Sequence, residues 1–128
     1  MELLTDELKK VFEDFPLYSQ DGKGKEAKVI VKYFNPAGRG TFYALEGSPM
    51  EDGDFRFFGF IDLFDKEFGY FTLSELESVQ IPITIEGLGS GVVTIERDLY
   101  LEPAERSLAE LLQEDNPWQT ELLRLPSV

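Results

Sequence analysis

Two pairs of carboxylates, Glu75 with Glu77 and Glu96 with Asp98, are the side chains of this sequence whose type and spacing could do chemistry. Two carboxyl groups about 5 to 10 Å apart can divide the acid and base roles in cleaving a glycoside. These four residues therefore define one functional reading, a carboxylate-dependent hydrolase or transferase. Arg97 and Tyr100 adjoin the second pair and would stand with it at the lip of a cleft. The absences narrow the chemistry further. The 128 residues include no cysteine and no histidine. Disulfides, thiolate nucleophiles, zinc–cysteine sites and iron–sulfur ligation are thereby excluded, and so is the imidazole that most often serves as general base or catalytic metal ligand. No catalytic residue, metal ligand or cofactor-binding residue is assigned from the sequence, and no cofactor is expected.

Three other stretches resemble ligand loops without meeting their requirements. Gly22-Lys23-Gly24-Lys25 lacks the spacing of a phosphate loop and precedes a strand, and Gly87-Leu88-Gly89-Ser90-Gly91 is flanked by strands with no helix to follow. Glu51, Asp52 and Asp54 lack the twelve-residue spacing of a calcium loop. All three read as turns.

The charge is strongly negative, with 25 acidic and 12 basic side chains and a net of −13. It is uneven: residues 1–64 carry eight basic and twelve acidic side chains, residues 65–128 four and thirteen. Nucleic-acid affinity comes largely from lysine and arginine displacing counterions, so direct nucleic-acid binding is not expected. An acidic surface suits solubility, or docking on a basic protein. The start, MELLTDELKK, lacks the basic region and long apolar run of a secretory signal, and no apolar run approaches membrane-spanning length. The expectation is a cytoplasmic protein without a membrane partner.

The elements that must position these residues are organised around residues 55–79. Phe55, Phe57, Gly59, Ile61 and Leu63 alternate with Arg56, Phe58, Phe60, Asp62 and Phe64. With both rows so apolar, the segment reads as a central strand covered on both sides. The alternative is that Phe58, Phe60 and Phe64 form an exposed strip, which makes Phe58 and Phe60 candidate partner-binding residues. Residues 65–69 read as a hairpin loop with Gly69 at its reversal. Thr72-x-x-Glu75 is a capping box that opens a short helix near 73–79.

Before this centre, Thr5 caps an amphipathic helix over 5–13, and strands are predicted over 28–34 and 41–46, with a loop at 47–54. After it come strands at 81–86 and 92–101, a helix over 104–114, and a second C-terminal helix opened by Asn116-Pro117 with Trp118, Leu122 and Leu125 on its apolar side. Arg97 falls in line with core residues of the last strand. Either a bulge turns it outward or a carboxylate holds it inside. The fold expected is one α+β domain over 1–128, a mainly antiparallel sheet of about five or six strands with helices at both ends of the chain.

The segments Gly69-Tyr70-Phe71-Thr72-Leu73-Ser74-Glu75-Leu76-Glu77 and Ile95-Glu96-Arg97-Asp98-Leu99-Tyr100-Leu101, with the N-terminal LLTDELKK, resemble the bacterial family known as domain of unknown function 2958 over residues 2–103. Residues 104–128 stand as a helical extension. The resemblance implies association with plasmids, phages and other mobile elements, and it carries no catalytic residues. The leading functional expectation is a non-enzymatic accessory factor that binds another protein, one form being antagonism of a host defence or DNA-handling protein. The carboxylate enzyme is the alternative, as is a structural homodimer built through Phe58, Phe60 and the Trp118 tail. Glu75, Glu77, Glu96, Arg97, Asp98 and Tyr100 are the remaining candidates for a partner surface or cleft.

Overall fold

The structure is a computed structural model that describes residues 1–116. The second C-terminal helix and the Trp118 tail therefore lie outside the described residues, while Asn116, its predicted cap, ends the preceding helix with its amide on the Leu112 carbonyl. The first helix, α1 (Asp6–Asp14), begins where Thr5 accepts a hydrogen bond from the Leu8 amide at 3.1 Å. Its inner stripe buries Leu8 and Phe12. Strands β1 (Val31–Phe34), β2 (Thr41–Pro49), β3 (Phe55–Asp62) and β4 (Lys66–Thr72) follow, then helix α2 (Leu73–Ser78) with the predicted Thr72–Glu75 capping box. Strands β5 (Ile81–Ile85), β6 (Gly89–Val93) and β7 (Glu96–Arg97) lead to helix α3 (Leu108–Asp115).

The main sheet is antiparallel in the order β4-β3-β2-β1-β7, and β5 with β6 forms a separate hairpin. Each face of the main sheet has its own core. On one face Leu8 and Phe12 of α1 and Leu76 of α2 pack with Tyr33, Ala44, Phe55, Phe57 and Phe71. On the other, Leu108 and Leu111 of α3 pack with Ala27, Val29, Tyr43, Leu45 and Phe60. The two-sided burial expected of the central strand is thus present in β3. Its axis is close to β2 because Gly59 lacks a side chain: a Cβ there would lie 1.9 Å from the Tyr43 carbonyl oxygen.

Several boundaries differ from expectation for identifiable reasons. Residues 47–49 continue β2 instead of opening a loop, because an irregularity between Ala44 and Glu46 lets the strand stay in register with Phe55–Phe58. Gly69 is not at a reversal. It sits mid-strand in β4 opposite Gly59, and the reversal lies at residues 63–65, where the Leu63 amide donates to the Asp65 carbonyl. The strand predicted over 92–101 is divided between two sheets, since β6 ends at Val93 and β7 is only Glu96–Arg97. The helix predicted over 104–114 begins at Leu108, because Ser107 and Glu110 make a second capping box.

Candidate functional site

Of the four predicted acids, Glu75 and Asp98 are engaged in hydrogen bonds, Glu77 is exposed, and Glu96 is half-buried in β7 opposite Phe34. Glu75 Oε1 accepts from the Thr72 amide at 3.1 Å and from the Thr72 hydroxyl at 2.9 Å, which commits that carboxylate to starting α2. Glu77 is exposed on the same helix. Glu96, Arg97, Asp98 and Tyr100 do come together, around a shallow hollow of about 310 Å³ that also touches Lys32 and Phe34. Glu75 and Glu77 do not line it. Arg97 follows neither predicted course. It is half-buried, opposite Tyr33 in the sheet, and its Nε donates to the Glu2 carbonyl at 3.1 Å. Asp98 accepts from the Tyr100 amide at 2.9 Å, while the Tyr100 ring is almost fully exposed. Arg97 and Glu77 both act on the buried Tyr33 hydroxyl. Its ionisation is pushed far above the ordinary phenol value, by burial first, with Arg97 opposing and Glu77 adding.

The two candidate phenylalanines separate. Phe60 is buried against Tyr43 and Phe68, at ring-centre distances of 6.4 and 5.2 Å. Its exposure as part of a strip is therefore corrected: α3 covers that point of the sheet. Phe64 is exposed, at the tip of the reversal. Phe58 is half-buried and anchors a different strip, composed with β4. Phe68 stacks on it with nearly parallel rings at 6.1 Å, and Tyr70 meets it edge-on at 5.0 Å. Phe68 is 40 % exposed and Tyr70 42 %. Arg56 caps the end of the strip with its guanidinium 4.1 Å from the Tyr70 ring centre, a favourable cation–π placement.

One wall of this aromatic face is the segment around Tyr18–Gly24, and a residue that sequence reasoning missed holds it in place. Glu46 is 2 % exposed, and its two carboxylate oxygens accept from the Tyr18 and Gln20 amides, each at 2.7 Å. Gln20, itself buried, bonds to the backbone of Lys28 and Leu45 through both ends of its amide. This clamp fixes Tyr18 at φ +76°, a region that non-glycine residues avoid. Tyr18 then shares a hydrogen bond with Tyr70. Partial desolvation first, and that bond second, hold the Tyr70 hydroxyl above the ordinary phenol value. Between wall and strip lies a hollow of about 400 Å³, lined chiefly by carbon from Ala27, Leu45, Phe58 and Phe68 with Asp21 at its side.

A second polar cluster was also invisible beforehand. Lys32 Nζ and the Tyr43 hydroxyl both donate to Asp115 Oδ2, at 2.9 and 2.6 Å. The Tyr43 hydroxyl is held protonated far above its usual range, by burial first and then by its bond to Asp115. Asp62 lines the same hollow, and its buried Oδ1 has no hydrogen-bond partner among the described residues. The cluster ties α3 to β1 and β2 and brings no third acid to Asp62 and Asp115: among the described residues no three metal-ligating side chains gather.

The fold and surface together define an α+β domain with an open antiparallel sheet, one end of which carries a half-exposed aromatic face. The chain belongs to the family described as Protein of unknown function (DUF2958), whose model matches residues 3–116 and so includes α3. No curated protein and no solved structure matches it. Among the described residues no helix is long and apolar enough to cross a membrane.

Proposed function

We propose that this domain is a non-enzymatic docking module that binds a basic protein on the aromatic face of β3 and β4. The observation that carries this reading is the half-exposed set Phe58, Phe68 and Tyr70, walled by a segment that the buried Glu46 clamps in a strained conformation. Aromatic side chains that are rigid, amphipathic and clustered supply the anchors of protein interfaces. The net charge of −13 selects the partner's sign, because complementary potentials steer encounter and reject like-charged proteins. In the mobile-element setting that the sequence resemblance implies, such a partner is a basic host protein that handles DNA or defends the cell. Glu75, the first acid of the enzymatic reading, is engaged in its capping box and supports the fold instead.

The test is site-specific photo-crosslinking in the producing cell, with the photoreactive residue replacing Tyr70 or, as control, Glu13 on the exposed side of α1. A discrete crosslinked protein at position 70, absent at position 13 and weakened by salt in the lysate, is the expected result. Identical patterns at the two positions would remove the proposal.

A further inference from the structure

The outer edge of β4, which pairs with no strand among the described residues, points to a second occupant of this region, a second copy of the chain. The inference rests on the docking reading, because pairing would join two aromatic faces into one. The sheet ends in β7 on one side and β4 on the other. The β7 edge has only two residues, whereas β4 offers seven in unbroken register with β3. Natural sheets protect such edges with proline, bulges, short strands or charge. Of these, β4 has only the charges at its start, Lys66 and Glu67.

The pairing that β4 already makes shows what its other edge can accept. Across β3 and β4, Phe58 faces Tyr70, Gly59 faces Gly69 and Phe60 faces Phe68. Each strand thus presents aromatic–glycine–aromatic to the other. Read backwards, β4 offers the same triad, Tyr70-Gly69-Phe68. We propose that two copies pair antiparallel through β4 about a two-fold axis at Gly69, forming one ten-stranded sheet. Phe68 then faces the partner's Tyr70, and Tyr70 the partner's Phe68, on the same sheet face as Phe58. A slip by one residue would set aromatics opposite glycine and turn them to the wrong face.

Charge placement agrees with this register. Lys66 comes opposite the partner's Thr72, beside the Glu75 carboxylate bonded to that threonine, and Glu67 comes opposite the partner's Phe71, so no like charges stand directly opposed. Seven paired residues and two half-exposed rings bury on the order of 400 Å² per copy, about half of a standard stable interface. The dimer is therefore weak and depends on concentration. Because each copy carries −13, added salt screens repulsion between them and strengthens the dimer, opposite to its effect on a basic partner.

The chain has no cysteine, so Gly69→Cys supplies a single thiol at the two-fold axis. A side chain fits there: a Cβ at Gly69 meets only Ile61 Cδ1, at 3.4 Å. Oxidation of Gly69→Cys should give a covalent dimer with wild-type thermal stability, whereas Gly91→Cys on the separate hairpin should stay monomeric. Sedimentation velocity of the wild-type chain should show a monomer–dimer equilibrium that shifts toward dimer with concentration and salt. Gly69→Glu, which sets like charges face to face, should remove it while preserving the far-ultraviolet spectrum. A monomer throughout, with no preferential disulfide at position 69, would overturn the inference. Crosslinking at Tyr70 to another protein would in that case leave the docking reading standing.

Discussion

Replacing Glu46 by glutamine tests whether the clamp behind the aromatic face is a stabilising element. The carboxylate is 2 % exposed and accepts two amides at 2.7 Å. Glutamine keeps the shape and one acceptor, but its amino group must face the second backbone N–H. One charge-assisted bond, about 1.5–3 kcal/mol, is lost and a donor is left unpaired, so a net cost of roughly 3 kcal/mol follows. At about 2.1 cal/mol/K of unfolding entropy per residue, the 128 residues convert this to a fall of about 10 °C in Tm. Glu46→Leu, which fills the volume and offers no acceptor, should fall further. Urea unfolding monitored by circular dichroism reads both. Amide hydrogen exchange should show Tyr18 and Gln20 losing protection before the strands do. A Glu46→Gln midpoint equivalent to less than about 0.5 kcal/mol of change, within the scatter of ordinary surface substitutions, would refute the reasoning, because the clamp would then be geometry without energy.

Gly59→Ala should destabilise by at least about 3 kcal/mol or prevent folding, since its Cβ would strike the Tyr43 backbone, which cannot rotate away; Gly91→Ala, with its nearest atom at 3.9 Å, should stay within about 0.5 kcal/mol on chemical denaturation. Asp54 titrates below the ordinary carboxylate range because the Ser74 hydroxyl, then the Phe55 amide, bond to its charged form. A lowered folded-state pKa means that this contribution is complete above about pH 4 and is lost as pH falls through the folded value. Carboxyl carbon NMR should show Ser74→Ala moving the Asp54 titration upward.

How much of this was legible beforehand divides along physical lines. Periodicity and caps are local, and they carried the readings that match the fold best: Thr5 opens α1, Thr72 and Glu75 open α2, and β3 is buried on both sides. Ser107-x-x-Glu110 carried the same signal and would have moved the third helix from 104 to 108. Gly69 misled because glycine marks a turn by default, whereas here it sits mid-strand opposite Gly59 with room for a side chain. Arg97 misled because alternation runs through residues 92–101 while the chain leaves one sheet for another between Val93 and Glu96. Glu46 and Gln20 were not legible at all. Their partners lie 26 and 28 residues away for the carboxylate and as far as 25 for the amide, so their burial is a fact of topology. Reading residues 65–69 as a loop hides the alternation of Phe68 with Tyr70 along β4.

The open aromatic face follows from a mismatch of sizes. Helix α3 runs along β1, from the Leu108 amide on the Ala27 carbonyl to Asp115 on Lys32, and is about 10 Å wide with its side chains, whereas five strands spaced about 4.8 Å apart make a sheet about 19 Å across between its outer strands. One helix cannot cover that width, and α3 is drawn toward β1 and β2 by the bonds from Lys32 and Tyr43 to Asp115. Phe60 lies at the margin of its cover and is buried, while Phe58, two residues earlier on the same side of the same strand, is left half-open with Phe68 and Tyr70. Tyr70 packs on Phe58 and under Arg56 and belongs to neither buried cluster, whereas Phe68 also packs on the buried Phe60. Substitution at Tyr70 therefore leaves both cores intact. A loss of crosslinking or association at this face then reports on docking and not on unfolding.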